Sequence, residues 1–313
     1  MDDDPALPVT GTVAPSRTAS RLMRLATYAA VGLAVLLALV KAVAWQATGS
    51  VAVLSSLVDS LMDAAASVIN LLAVRQALEP ADADHRFGHG KAEPLAALGQ
   101  AAFIAGSGVL VVLQAAGNLL NPHAHSIVNA PIGMGIMTFS LVATFALVRF
   151  QAYVVRRSGS VAIRADRLHY AGDLLMNGSV LAALALTEWL GLTWIDAVCG
   201  IAIAGYMLFG SARIALSALD MLMDRELPED VRQHIQAIVR SHPAVLAVHD
   251  LRTRSSGPKI FIQLHMVLAA ELTLSRAHVI ADEVEAKLYE AFPGAEILTH
   301  QDPTDAIEPE IRR

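Results

Sequence analysis

The sequence predicts a multi-pass α-helical membrane protein that ends in a small α+β domain. Three observations support this fold class. The 313 residues are 55% hydrophobic with a mean hydropathy of +0.50, which is too apolar for an ordinary soluble domain. Six apolar segments approach the ~20 residues that a bilayer crossing requires. After Asp224 the composition changes to a soluble pattern.

Each of the six apolar segments is long enough to cross a bilayer as a helix. They run over approximately Leu25–Ala47, Val51–Leu78, Leu95–Leu120, Ile127–Val155, Ala165–Trp189 and Trp194–Leu216. The fifth is the weakest by hydropathy, because charged residues fill its first part and only the stretch from Leu174 onward is plainly apolar. That stretch is too short to span alone, so the turn that carries His169 and Asp173 must lie at membrane depth.

Basic residues in the short connections predict the orientation. Arg and Lys occur before the first segment and in the second and fourth connections, whereas the other three connections have none. Both termini are therefore predicted to be cytoplasmic. Arginine greatly outnumbers lysine, which is typical of GC-rich bacterial genomes and favours a bacterial inner-membrane location. No basic face indicates a nucleic-acid partner, and the single cysteine, Cys199, excludes internal disulfides and a multi-thiolate metal cluster.

The soluble part has the predicted element order αββαβ. An acidic first turn at Glu229 and Asp230 begins a helix, two β-type runs flank Ser255–Pro258, and a second helix precedes a last short strand. This order predicts a two-layer α+β domain with a modest core, which favours oligomerisation. The predicted domains are a disordered cytoplasmic N-terminus (1–20), a six-helix transmembrane domain (21–223), a cytoplasmic metal-binding domain (224–303) and a tail (304–313).

Two pairs of ionisable residues lie inside the apolar segments: Asp59 with Asp63, and His169 with Asp173. Charge is costly in hydrocarbon, so such residues usually face a partner, an ion or a water-filled cavity. Each pair has i, i+4 spacing, which stacks both side chains on one helix face. Counted inward from the outer connections at ~1.5 Å per residue, the two pairs overlap near mid-membrane. Four such ligands suit a tetrahedral divalent metal.

Five short blocks occur in order along the chain: Leu57–Asp63 (LVDSLMD), Pro80–Glu93 (PADADHRFGHGKAE), Ala165–Asn177 (ADRLHYAGDLLMN), His249–Arg254 (HDLRTR) and His300–Pro303 (HQDP). In these blocks the sequence resembles the cation diffusion facilitators, and most closely the bacterial ferrous-iron efflux and zinc/proton antiporter branch. The resemblance extends from about Arg21 to Pro303. It implies a homodimer with six membrane helices per protomer and a cytoplasmic ferredoxin-like, metallochaperone-like domain.

The resemblance also implies roles for particular residues. The two intramembrane pairs would form the transport site, between the second and fifth helices. Asp82, His85 and His89 would form an accessory zinc site in the connection between the second and third helices. There Asp84 competes with Asp82 as a ligand, Gly88 and Gly90 favour a loop, and a solvated His-rich loop is the ordinary alternative.

In the C-terminal domain, the resemblance implies a binuclear metal site at the dimer interface with the ligands His249, His265, His278, His300, Gln301 and Asp302. A surface position for His249 is the ordinary alternative. Lys91 and Asp224 match a family pair that forms a charge interlock between the membrane and soluble parts, although solvated charges at helix ends are commoner.

The predicted function is a secondary active transporter, not an enzyme, which exports a divalent transition metal in exchange for protons. Three carboxylates and one imidazole suit Zn²⁺, with Cd²⁺, Fe²⁺ and Mn²⁺ also admitted, and no thiolate favours copper. Metal binding requires these ligands to be deprotonated, so metal and protons compete. The alternatives are a membrane metalloenzyme, against which the sequence has no HExxH motif, and a metal-sensing scaffold that does not transport.

Overall fold

The computed structural model describes residues 17–48, 51–120, 130–190 and 195–305. Within these ranges the chain forms helices and strands in the order α1 (Arg17–Thr48), α2 (Val51–Ala77), α3 (Ala92–Leu120), α4 (Ala130–Ser158), α5 (Val161–Leu190), α6 (Ile195–Leu222), α7 (Glu229–Arg240), β1 (Ala247–Ser256), β2 (Lys259–Leu268), α8 (Leu274–Ala291) and β3 (Glu296–Pro303). The chain divides into a unit over Arg17–Leu219 and a second unit that begins at Asp220. The predicted domain boundaries stay predictions, and most of the predicted N-terminal and C-terminal tails lie outside the described residues.

Helix α1 begins at Arg17, a few residues before the predicted start of the transmembrane domain. Its packed face already includes Ala19 and Met23, and it continues at Ala26 and Ala30 with a spacing of three to four residues. Because packing of this face stabilises the helix, the helix extends into the polar lead-in that the sequence predicts to be disordered.

The predicted fold class is confirmed. Five of the helices, α1, α2, α3, α4 and α6, are long and apolar enough to cross a membrane among the described residues. Helix α5 is as long as these, but Arg164, Asp166, Arg167 and Asp173 lie in its first half. The spanning helices also expose many large apolar side chains, such as Leu39, Leu110 and Phe209. Lipid requires such faces, since hydrocarbon cannot satisfy polar groups.

Helix α5 lies among the other membrane helices. It packs against α4 and α3, and by smaller contacts against α2 and α1. Two glycines bring it close to α6: a Cβ at Gly172 would lie 2.4 Å from Met207 Cε, and a Cβ at Gly210 would lie 2.8 Å from Leu168 Cδ2. Small residues at such contacts let membrane helices approach closely. The charged first half of α5 therefore packs against other helices.

The second unit has the predicted order αββαβ, with strand order β1-β2-β3. Strand β2 pairs antiparallel with β1 and parallel with β3. Alternate residues of β2, including Ile260, Ile262 and Leu264, pack into a core with α7 and α8. The β1–β2 turn contains Gly257, whose φ of 56° favours glycine. Strand β3 runs to Pro303, because its parallel pairing with β2 continues to Leu268.

Candidate metal centres

The membrane helices bring three of the four predicted transport-site residues together. His169 Nε2 on α5 lies 3.0 Å from Asp63 Oδ1 on α2 and 3.7 Å from Asp173 Oδ2 one turn further along α5. One ligand atom from each of the three lies within 4.8 Å of the others. His169 is 4% exposed, whereas the side chains of Asp63 and Asp173 are partly exposed in the single chain. Two carboxylates and an imidazole at this separation are a donor set that fits Zn²⁺ or a similar divalent metal.

Neighbouring contacts fix the orientation of α5 at this cluster. The Tyr170 hydroxyl lies 2.8 Å from Ser67 Oγ on α2 and donates to the Ala30 carbonyl oxygen on α1 at 3.3 Å. The Phe103 ring on α3 and the His169 imidazole pack edge to face, with a centroid separation of 5.7 Å. Three helices therefore hold the turn that carries His169, which is the arrangement that a preorganised metal ligand requires.

Asp59, the fourth predicted ligand, is not in this group of three. It lies one turn before Asp63 on α2, and its side chain is exposed in the single chain. His169 Nε2 lies near both Asp63 and Asp173. The contact between α2 and α5 at the imidazole is therefore made by Asp63 and not by Asp59. The assignment of Asp59 to the transport site stays a prediction.

Sequence reasoning missed two ionisable residues near this cluster. Lys41 on α1 donates through Nζ to Ser60 Oγ at 2.6 Å and to the Ser56 carbonyl oxygen at 3.2 Å, both on α2. Asp166, one turn before His169, is 1% exposed and accepts a hydrogen bond from Gln151 Nε2 at 2.7 Å. Each could have been found by the same rule as the predicted pairs, since each is an ionisable residue in a membrane helix.

The connection between α2 and α3 forms the second predicted cluster. Asp82 Oδ1 lies 3.3 Å from His85 Nδ1, and Asp82 Oδ2 lies 3.3 Å from His89 Nε2. The segment is a loop, as Gly88 and Gly90 indicated, and Gly88 adopts a φ of 83°. Among the described residues Asp82 belongs to this group of possible metal ligands and Asp84 does not.

The loop holds Asp82 in place through its backbone. The Asp82 carboxylate accepts hydrogen bonds from the amides of His85 and Asp84, at 2.6 and 3.0 Å. The His85 amide bond is the main reason that the pKa of Asp82 lies below its ordinary value. Asp82 is therefore ionised over the range in which imidazoles titrate, and its charge is available to a metal without the loss of a proton.

The cytoplasmic sheet aligns three imidazoles on one face. His249 on β1 pairs directly with His265 on β2, and His265 pairs directly with His300 on β3. Ring centroids of successive pairs are 5.1 and 4.7 Å apart. Directly paired residues of neighbouring strands project to the same face, so the register alone places these side chains in a row.

A β-bulge in β1 makes this row possible. The pairing shifts between His249 and Arg252, and Asp250 adopts a φ of 47°. A bulge inserts one extra residue, which changes the face of every residue beyond it. Leu251 therefore packs into the core with α7 and α8 while His249 remains on the opposite face. In a regular strand His249 and Leu251 would share a face. Either His249 would then leave the row of imidazoles or Leu251 would leave the core.

Asp302 on β3 joins the three imidazoles. Its Oδ2 lies 2.8 Å from His265 Nδ1 and 3.2 Å from His249 Nε2, and its Oδ1 lies 3.2 Å from His300 Nε2. Partial burial raises the pKa of Asp302, but the hydrogen bond with His265 and the charge of the nearby imidazoles outweigh it, so the pKa lies below its ordinary value. His249, His265 and Asp302 form a group that could hold a metal ion.

The two other predicted ligands of the cytoplasmic site do not join this group within one chain. His278 is on α8, exposed, with Nε2 3.7 Å from Asp282. Gln301 lies between His300 and Asp302 in β3, and its amide donates to Thr299 Oγ1 at 3.5 Å. Their assignment stays a prediction, and it requires a second protomer.

The predicted interlock joins residues of the two separate units. In the second unit, Asp224 Oδ1 accepts a hydrogen bond from Arg254 Nη1 at 3.2 Å. Lys91 lies in the other unit, at the end of the loop that carries Asp82. The pairing of Lys91 with Asp224 stays a prediction.

Comparison with known families agrees with this arrangement. Residues 27–223 match the family described as the cation efflux transmembrane domain, and residues 227–304 match the one described as the cation efflux protein, cytoplasmic domain. The chain belongs to the cation diffusion facilitator family. The predicted family is thus confirmed, and the transporter is one for cation efflux.

Bacterial relatives of this cation efflux transporter match it over nearly their whole length. It is 48% identical over 295 residues to the cation-efflux pump FieF of Pectobacterium carotovorum subsp. carotovorum (strain PC1), which covers 94% of this chain and 97% of that protein. It is 47% identical over 291 residues to the protein of the same name from Yersinia enterocolitica serotype O:8, with coverage of 93% and 96%. The predicted branch is confirmed, and the relatives are pumps, in agreement with the prediction that the chain is not an enzyme.

Proposed function

We propose that this chain is a proton-coupled antiporter, which exports a divalent transition metal from the bacterial cytoplasm by alternating access. The observation that carries the proposal is the cluster of Asp63, His169 and Asp173 on two membrane helices, with its nearly buried imidazole. Ionisable groups inside a membrane have a high free-energy cost, and they usually bind an ion or carry a proton. Asp59, one turn from Asp63, completes the proposed transport site.

Zn²⁺ is the proposed principal substrate, with Cd²⁺, Fe²⁺ and Mn²⁺ as further candidates. Carboxylate and imidazole donors bind all four metals, and tetrahedral coordination by such donors is the usual geometry of zinc. The absence of thiolates from the proposed site argues against copper. The supporting relatives are cation-efflux pumps, so the choice among these metals follows from donor chemistry alone.

Metal and protons compete for the same ligand atoms, and this competition couples metal transport to proton transport. His169 Nε2 already bridges to Asp63 and lies near Asp173, and this contact requires a proton on the imidazole or on a carboxyl group. A metal that takes these three ligands must displace that proton. Exchange at a site that opens alternately to each side would drive metal outward as protons move inward.

The two other clusters are proposed as cytoplasmic control sites. The loop site of Asp82, His85 and His89 and the sheet site of His249, His265, His300 and Asp302 have mixed imidazole and carboxylate donors that fit zinc. In a homodimer with both termini in the cytoplasm, His278 and Gln301 of a second protomer would complete the sheet site. Cytosolic metal would then stabilise the paired domains and regulate export.

The decisive experiment is metal flux in proteoliposomes under an imposed pH gradient, with Zn²⁺, Cd²⁺, Fe²⁺ and Mn²⁺ as substrates. The wild type is expected to carry metal against the proton flow, and Asp63→Ala is expected to abolish the flux. Asp84→Ala is the matched control, because it removes an exposed carboxylate outside the three clusters. Equal flux for the wild type and Asp63→Ala would disprove the transport site, and flux that ignores the pH gradient would disprove the antiport.

A further inference from the structure

Lys41 places a positive charge inside the first membrane helix. It lies six residues before the end of the apolar segment Thr18–Ala47. A lysine at this depth usually extends along the lipid face until its ammonium reaches the headgroups. Here Nζ is instead bound to α2, through Ser60 Oγ at 2.6 Å and the Ser56 carbonyl oxygen at 3.2 Å.

The two acceptors of Lys41 lie on the turn of α2 that leads to the proposed transport site. Ser60 directly follows Asp59 and is 3% exposed. Because Ser60 lies three residues before Asp63, its bond with Nζ holds the ammonium beside the turn of α2 that carries Asp59 and Asp63. The ammonium makes neither of its two hydrogen bonds with a carboxylate of that site. Lys41 therefore acts on the site as a nearby charge rather than as a ligand.

The charges of Lys41 and of the four predicted transport-site residues sum to zero only with a divalent ion. Asp166, whose carboxylate accepts a hydrogen bond from Gln151, lies outside this set. Three ionised carboxylates, Asp59, Asp63 and Asp173, contribute three negative charges, and a neutral His169 contributes none. A divalent metal leaves one negative charge, which the Lys41 ammonium cancels. A monovalent ion would leave a net negative charge and a trivalent ion a net positive charge. Any net charge in a poorly solvated site is costly.

We propose that Lys41 is a specificity-determining residue that makes the metal-loaded transport site electrically neutral. This inference rests on the proposed function of that site. The ammonium favours a divalent load, and its repulsion keeps the metal from binding too tightly to be released. A transporter needs this balance, because a site that holds its substrate too firmly turns over slowly.

Two substitutions separate the charge of Lys41 from its hydrogen bonds. Lys41→Gln keeps a donor for Ser60 and loses the charge, whereas Lys41→Arg keeps both. We expect Lys41→Gln to bind Zn²⁺ at least about tenfold more tightly than the wild type, since an opposing unit charge is removed at short range. Its maximal flux and its KM should both fall, because release becomes slower. Lys41→Arg should resemble the wild type.

Binding is measured with Zn²⁺ on the purified full chain that carries Asp82→Ala and Asp302→Ala, so that the loop and sheet clusters are weakened. Flux is measured in proteoliposomes. Binding is measured at about pH 8, where protons compete least with the metal. Ser60→Ala, in a chain that keeps Lys41, is the second variant, and it should shift affinity in the same direction by a smaller factor because the ammonium is no longer held.

The outcomes distinguish the two proposals. If Asp63→Ala binds Zn²⁺ as well as its parent, the proposed transport site itself fails. If Asp63→Ala loses binding but Lys41→Gln keeps the affinity and KM of the wild type, the inference about Lys41 alone fails. It also fails if Gln and Arg impair transport equally, because that result assigns Lys41 a packing role. Should Lys41→Gln not fold, unchanged affinity in Ser60→Ala overturns the inference.

Discussion

The membrane unit and the cytoplasmic unit each build an Asp and His cluster, but they do so by different means. In the membrane, i, i+4 spacing on α5 supplies His169 and Asp173, α2 adds Asp63, and the imidazole is almost wholly buried. In the sheet, strand register aligns His249 with His265 and a bulge keeps them on the outer face. The helical cluster can be predicted from spacing, whereas the sheet cluster depends on a register that spacing does not reveal.

The difference also concerns what each cluster requires to bind metal. The membrane cluster contains a nearly buried imidazole at a depth where unbalanced charge is costly, and we propose that metal and protons exchange there. The sheet cluster is half-exposed, and Asp302 alone contacts three imidazoles. We therefore expect the first to carry the transported ion and the second to hold a regulatory one. The following substitutions test this division.

The largest effect is expected from replacing one carboxylate in each cluster. Asp173→Asn keeps the shape of the side chain and removes a charged ligand, so metal flux in proteoliposomes should fall by more than about 100-fold. Asp302→Asn should leave flux at saturating metal detectable, while Zn²⁺ binding to the cytoplasmic unit is lost. Loss of flux in Asp302→Asn equal to that in Asp173→Asn would contradict the division.

The next effect concerns the middle imidazole of the sheet. His265 contacts Asp302 directly and lies between two other imidazoles. His265→Ala should weaken Zn²⁺ binding to the sheet cluster by roughly 10-fold to 100-fold, as measured by calorimetry on the full chain. His278→Ala is the matched control, because His278 lies outside the sheet cluster of a single protomer. If it weakens binding only at concentrations where the protein is dimeric, the predicted contribution from a second protomer is supported.

A moderate effect is expected at the bulge. Asp250 has a φ of 47°, a conformation that β-branched residues strongly disfavour. Asp250→Val should destabilise the end of β1 by about 1–3 kcal/mol and move His249 out of register with His265. Hydrogen exchange of the β1 amides measures the first effect and Zn²⁺ titration the second. Asp250→Gly relieves the strain and serves as the control; similar exchange in both variants would argue against a role for the bulge.

The smallest effect is expected at a His and carboxylate pair outside the clusters. His242 Nε2 donates to Glu283 Oε2 at 2.8 Å and joins the end of α7 to α8. This bond holds the pKa of Glu283 below its ordinary value, so its stabilisation is present above that ordinary value and is lost as the pH falls through the lowered pKa. Glu283→Gln should be slightly less stable to heat than the wild type at about pH 6, and the difference should vanish near about pH 3.

Metal binding provides the specificity control for that pair. Glu283→Gln should bind Zn²⁺ as the wild type does, because the His242 contact lies outside the sheet cluster among the described residues. Weaker binding in this variant would show that the sheet cluster extends further than the geometry of one chain indicates.

Helical patterns explain why so much of the membrane unit was predictable. Apolar segments of spanning length identified the six helices, and the i, i+4 pairs identified Asp63, His169 and Asp173. Spacing along a helix determines which residues share a face, so this information is local. The same rule did not distinguish Asp59 from Asp63. Which of the two reaches His169 depends on how α2 and α5 approach each other.

Contacts between elements supplied what the sequence left open. Lys41 finds Ser60 only because α1 packs on α2, and Asp166 finds Gln151 only because α5 packs on α4. The strand alternation supported a shared face for the histidines only loosely, because the bulge at Asp250 changes the alternation. Neither a bulge nor a contact between helices produces a regular spacing of residues that could be recognised in the sequence.

By itself, the sequence determined the membrane class, the order of elements and the ligand types of the membrane cluster. These follow from apolar length, periodicity and side-chain chemistry, which are properties of short segments. Only the tertiary structure decided that Asp302 meets His249, His265 and His300, that His278 lies apart in one chain, and that Lys41 is held at α2. These contacts join distant segments, and packing and register, rather than local pattern, bring such segments together.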